Sequence, residues 1–263
     1  MRRIFSIIFL FVSIDLFGTG QIPDFLIYKG DTLSLFSNPL EGYFNFQHKR
    51  PNKLFDSLGY NSTACWRGYI AHWKLRNDSL FLTRLEGDKS NIDLSVIFKK
   101  KVKNGEVFAA WVNENINNPY GKLLYYEHMG YNSLYEYERD FVIKKGILKE
   151  IVEYNNTKSR KSKYTENVEL LREYIQANIN YDNITNEPFE KARVYVQIQH
   201  VTEEGKIDSV KVLRGWDEER DKEAVRVVKS IPEWNVIYAR GKQIQISWVL
   251  PVIFGIKDES TTH

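Results

Sequence analysis

Thiols are almost missing from this chain. A single cysteine, Cys65, stands among 263 residues, which excludes an intramolecular disulfide framework and any zinc site built from several thiolates. Beside Trp66, Cys65 reads as a small core hydrophobe. A pairing with His72 or His128 would make it a nucleophile, but nothing in the spacing brings them together. Proline is scarce as well: the seven prolines form no repeat, which excludes a collagen-like fibre. Charge of one sign is not in excess, at 37 Lys and Arg against 34 Asp and Glu, so there is no nucleic-acid footprint. There is no glycine-rich phosphate loop and no nucleophile elbow, and the scattered carboxylates single out no hydrolase pair. The five histidines, His48, His72, His128, His200 and His263, fall at no metal-ligand spacing. His200 ends a strand and reads as a strand-face residue. The expectation is therefore no catalytic residue, no metal and no cofactor.

What is present is ordinary for a globular protein, with 43% hydrophobic and 27% charged residues. Aromatics at 14% lean toward β structure. The start of the chain looks like an address. Arg2 and Arg3 precede an apolar run from Ile4 to Phe17, and Gly18-Thr19-Gly20 offers a small-residue cleavage site before Gln21. That pattern is a secretory signal peptide over residues 1–20. The rival reading is an uncleaved inner-membrane anchor. The run is shorter than the roughly 20 residues that span a bilayer, and Asp15 opposes insertion. An exported, periplasmic chain is expected.

Residues 21–154 show short apolar runs split by turn signals. Gly68 to Leu75 alternates, Arg76-Asn77-Asp78-Ser79 turns the chain, and Leu80 to Leu85 returns, which predicts a hairpin. Lys103-Asn104-Gly105-Glu106 is a second turn signal before a strand from Val107 to Val112. Phe141 to Ile143, Lys144-Lys145-Gly146 and Ile147 to Val152 predict a third hairpin. Helical periodicity is absent, so the expectation is an all-β domain, a sandwich or open barrel of about eight strands. Residues 155–166, with four basic side chains and Tyr164 as the one large apolar group, read as a basic, solvated linker; Lys99-Lys100-Lys101 reads as a solvated strand end.

From residue 167 to 257 the pattern changes. Val168, Leu171, Tyr174, Ile175 and Ile179 predict an amphipathic helix. Val194, Val196 and Ile198 alternate with Tyr195, Gln197 and Gln199 in a half-buried strand. A turn at Glu203 to Lys206 leads to a second strand over Ile207 to Leu213. Asp217 caps a second helix whose stripe is Ala224, Val227, Val228 and Ile231, and Pro232 stops it. A last strand is predicted from Gln243 to Phe254. The result is α-β-β-α-β, an α+β domain with a three-stranded antiparallel or mixed sheet, the first strand in the middle, followed by a tail over 258–263.

This stretch resembles the C-terminal domain of TonB, the periplasmic energy transducer. The resemblance rests on order and spacing: Val194-Tyr195-Val196-Gln197, Gly205-Lys206-Ile207, Val210 to Gly215, Asp221 to Trp234, Gly241-Lys242-Gln243-Ile244 and Leu250 to Phe254, with Leu171 to Ile179 as the opening helix. Tyr181-Asp182 stands where the family has a Tyr-Pro pair, and neither the proline-rich spacer nor the proline-bearing loop before the last strand is present. The resemblance implies transport-linked protein binding: the module grips a short peptide segment of an outer-membrane transporter or another envelope protein by strand addition. The last strand is the edge expected to do this, with Gln243, Ile244, Gln245, Ile246, Ser247, Trp248 and Val249 as the partner-binding residues and Pro251 ending the pairing. A second class of function is a structural envelope adaptor whose module forms a homodimer or touches peptidoglycan without energy transduction. A third, a secreted enzyme, needs a cleft near Cys65.

Overall fold

The computed structural model describes residues 20–46, 49–185 and 191–255. Almost all of the expected leader and the whole of the tail lie outside the described residues. No helix among the described residues is long and apolar enough to cross a membrane. The protein is mostly β, with a large mixed sheet and a few helices.

Two-residue turns build much of the first part. Lys29 and Gly30 both adopt positive φ and join β1 (Asp24–Tyr28) to β2 (Asp31–Leu35). Helices α1 (Glu41–Phe46) and α2 (Asn52–Leu58) follow. The hairpin predicted around Asn77 is present: Asn77 and Asp78 both take positive φ between β3 (Ile70–Arg76) and β4 (Ser79–Glu86), the geometry of the hairpin turn that matches strand twist. Next come β5 (Asn91–Ile92), α3 (Leu94–Phe98), β6 (Val107–Phe108), β7 (Asn115–Tyr125), β8 (Leu134–Lys144) and β9 (Ile147–Asn155). The sheet runs β2-β1-β3-β4-β9-β8-β7, with β5 and β6 also on β4. It is mixed because β1 lies parallel to β3, through Phe25↔His72 to Ile27↔Lys74.

Two expectations change here. The domain expected to be an all-β sandwich or open barrel is mostly β: one large mixed sheet accompanied by three short helices. Helices α1 to α3 have five to seven residues, too short for a helical period to register in the sequence. The strand expected over Val107 to Val112 keeps only two residues: the Ala109 N–H still bonds the Leu80 carbonyl of β4, but the Ala110 and Val112 N–H groups turn back to the Phe108 and Ala109 carbonyls and the chain leaves the sheet.

The chain forms two compact units, and the division does not fall at one point. The first holds Met1–Ile116, Tyr125–Ser133 and Val142–Glu150; the second holds Asn117–Leu124, Leu134–Phe141 and Ile151–His263. The first unit has its core in Leu26, Leu35, Trp73, Leu80 and Leu82, all buried. At its centre Asp24 and Arg67 are fully buried and joined at 2.9 Å.

In the second unit, α4 (Lys163–Glu166), α5 (Val168–Asn178), β10 (Ala192–Val201), β11 (Ile207–Arg214), α6 (Glu218–Lys229), β12 (Ile237–Ala239), β13 (Lys242–Ile244) and β14 (Trp248–Phe254) follow in order. The three-stranded sheet is β11-β10-β14, antiparallel throughout, with β10 in the middle. Val194, Val196 and Ile198 pack against Ala224, Val227, Val228 and Ile231. The Asp217 side chain accepts the Arg220 N–H at the start of α6.

Residues 155–166 are not a solvated linker. Asn156 and Ser162 are buried. Arg160 exchanges both backbone hydrogen bonds with Val236, and the Ser162 N–H donates to Asn235 Oδ1 at 2.7 Å. The basic side chains made the segment look solvated, but its asparagine, serines and Tyr164 carry the packing.

Candidate functional site

The last predicted strand is broken in two. Ile237 to Ala239 fold back on Lys242 to Ile244 through Arg240 and Gly241, both at positive φ. Gln243 and Ile244 therefore pair with β12 of the same chain. Gln245, Ile246 and Ser247 form no strand. The Gln245 amide closes the end of β10 instead, accepting the Val201 N–H at 2.9 Å and donating to the Val201 carbonyl at 3.0 Å. Gln243 Nε2 donates to the same carbonyl, and Ser247 Oγ accepts from Gln197. Of the seven expected partner-binding residues, only Trp248 and Val249 belong to the sheet edge. The alternation from Gln243 to Val249 misled because a two-stranded ribbon and a continuous strand share the same period of two.

On its inner side β14 pairs with β10 through Pro251 and on to Phe254; the expected end of partner pairing at Pro251 concerns the outer side. In an antiparallel ladder, alternate residues turn their N–H and C=O toward the partner and away from it. Pro251 has no N–H to give β10. The Ile253 carbonyl accepts from Gln176 Nε2 of α5 at 2.9 Å. Both facts place 249, 251 and 253 in the outward set. That edge has no strand partner among the described residues. It offers the Val249 N–H and C=O, the Pro251 C=O and the Ile253 N–H.

A groove of ≈ 350 Å³ runs beside this edge. Val168, Leu171 and Ile175 of α5 form one wall, Leu250, Pro251 and Ile253 the other, and Arg172, Lys191 and Arg193 also line it. The wall runs from the core outward along the predicted α5 stripe: Ile175 is buried in the core, Leu171 packs against it, and Val168 is 71% exposed. Among the described residues no carboxylate lines the groove. An adjoining hollow adds Tyr195, Arg214 and Trp216. The Arg193 guanidinium donates to the Tyr195 hydroxyl and holds its pKa below the usual phenol range. Sequence reasoning missed the α5 wall; Val168, an apolar residue at the outer end of the predicted stripe, was its trace.

The other singled-out groups sit elsewhere. Cys65 is fully buried, its thiol donates to the Tyr69 carbonyl, and burial pushes its pKa up, which opposes a thiolate. His72 pairs with Glu86, and His200 pairs with Asp208 across β10 and β11 at 2.6 Å. Among the described residues no three His, Cys, Asp or Glu side chains are gathered to hold a metal.

No family model matches the chain, and neither a curated protein nor a solved structure matches it.

Proposed function

We propose that this is an exported envelope protein whose second unit is a TonB-like module that binds an extended peptide segment of a partner by strand addition on β14. The observation that carries the reading is the outer edge of β14, whose Val249, Pro251 and Ile253 main-chain groups have no strand beside them among the described residues and which borders an apolar groove. Backbone hydrogen bonds supply affinity in this mode, and pockets for alternate side chains supply specificity. Arg172, Lys191 and Arg193 favour a segment carrying carboxylates. Export rests on residues 1–20, and the link to an outer-membrane transporter rests on the TonB resemblance. The reading assigns no reaction to the protein.

The test is Val249→Pro. It removes an outward N–H without touching the ladder to β10, and the strand already tolerates Pro251 two positions on. A photocrosslinker at Val249 identifies the captured segment in the otherwise unaltered chain, and the proline variant is then titrated against that segment. Affinity is expected to fall at least tenfold, about 1.4 kcal/mol. Unchanged affinity would remove edge pairing from consideration.

A second reading, self-association, is favoured by the exposed apolar side chains Leu213, Trp216 and Val249 on or beside the sheet. Sedimentation of the full chain decides it. A concentration-independent monomer excludes the homodimer, and a dimer dispersed by Val249→Pro would assign the edge to a second copy.

A further inference from the structure

The Lys99-Lys100-Lys101 run is not a strand end. It forms a single helical turn directly after α3. Lys99 holds φ at 51°, a left-handed conformation uncommon for a side-chain-bearing residue. Lys103 opens a second tight turn, in which Asn104 and Gly105 also take positive φ and Lys103 and Glu106 exchange backbone hydrogen bonds. Two rigid turns thus display four exposed ammonium groups within five residues.

Apolar surface lies beside them. One hollow of ≈ 520 Å³ includes Lys101, Lys103, Phe108 and Trp111. Another of ≈ 490 Å³ includes Lys49, Val96, Lys99 and Lys100. They share a wall made by Tyr43 and Lys101, whose ammonium sits 5.5 Å from the ring centroid. Val96 is 58% exposed and Phe108 is 40% exposed. Among the described residues one carboxylate lines either hollow, Glu106, and it is paired with Arg76. Asp93 nearby is occupied in capping α3 through Ser95. The positive charge is therefore uncompensated where apolar side chains protrude.

We propose that this face of the first unit docks on an anionic lipid surface. Lys99, Lys100, Lys101 and Lys103 meet the headgroups, while Val96 and Phe108 enter the interfacial layer. Lysines are compact point charges on apolar stems, suited to a diffuse negative surface more than to bidentate recognition of one anion. Each lysine near such a surface strengthens binding about fivefold, and salt screens the effect.

The test is co-sedimentation of the full chain with vesicles. One set is phosphatidylcholine alone and the other adds phosphatidylglycerol. Tighter binding is expected with the anionic vesicles, and the excess should disappear as salt is raised. The start of the sequence, Arg2, Arg3 and the apolar run Ile4 to Phe17, contributes equally to parent and variants, so the difference between them is the readout. Lys99→Gln/Lys100→Gln/Lys103→Gln should weaken anionic binding about a hundredfold with unchanged circular dichroism. Val96→Ser should cost about fivefold, independent of salt over the range where binding is measurable. Equal binding to both vesicle sets, or a triple variant that binds like the parent, would overturn the proposal. So would a soluble polyanion bound as tightly as the vesicles and indifferent to Val96→Ser, because the surface would then be reading charge alone.

Discussion

Each unit buries a carboxylate beside an arginine, and the two carboxylates titrate in opposite directions. In the first unit burial pushes Asp24 up from the ordinary 3.8 to about 6, against the pull of Arg67, the Ala71 N–H and Trp73. In the second unit burial also works against ionised Glu223, but hydrogen bonds from Arg226, the Asn180 N–H and Asn183 outweigh it and hold its pKa below the usual 4.5. Both arginines pull their carboxylate down, and the contrast lies in how far burial of the pair opposes them. Arg67 is fully buried with its Nε unpartnered, whereas the Arg226 side chain is 46% exposed. A guanidinium that keeps its water stabilises a carboxylate; one stripped of water shares the desolvation penalty with it.

The largest test of this contrast removes Arg67. Arg67→Met leaves Asp24 buried without its cation, and a loss of about 3–5 kcal/mol in urea denaturation is expected; a neutral outcome would show that Asp24 is already protonated and needs no partner. Next is the pH dependence. Because the folded pKa of Asp24 is raised, its protonated form favours the fold; that stabilisation is complete below pH 3.8 and is lost as pH climbs to about 6. The span is on the order of 3 kcal/mol, and Asp24→Asn should flatten it in unfolding curves collected across that window. Glu223 has the opposite sign: its contribution is complete above pH 4.5 and is lost as pH falls through the lowered folded value. Glu223→Gln should cost about 2 kcal/mol at neutral pH and abolish the acid loss. Smallest is Gln176→Ala, which frees the Ile253 carbonyl and should change stability by only about 0.5 kcal/mol, read from the same denaturation curves.

The two units also differ in how far they could be read from sequence. In the second, Val194-Val196-Ile198 and Ala224-Val227-Val228-Ile231 repeat long enough to fix a strand and a helix, and both pack as expected. In the first, the hairpins at Asn77 and Lys145-Gly146 were legible because positive-φ turns demand particular residues. The parallel β1–β3 pairing was not legible: a long-range contact leaves no local mark. The candidate site was half legible. Trp248 and Val249 lie on the sheet edge, whereas Gln243 and Gln245 spend their amides on Val201, a tertiary contact that alternation cannot reveal.

The Arg240-Gly241 turn carries a practical consequence. The Arg240 N–H donates to Glu138 at 3.1 Å, and the Gly241 N–H donates to Asn156 at 2.8 Å. Excising the C-terminal portion at Val168 would discard both acceptors and strand two amides, so a truncated fragment would enter solution with its ribbon unmoored. Misbehaviour of such a fragment would report on where it was cut and not on what the intact molecule grips.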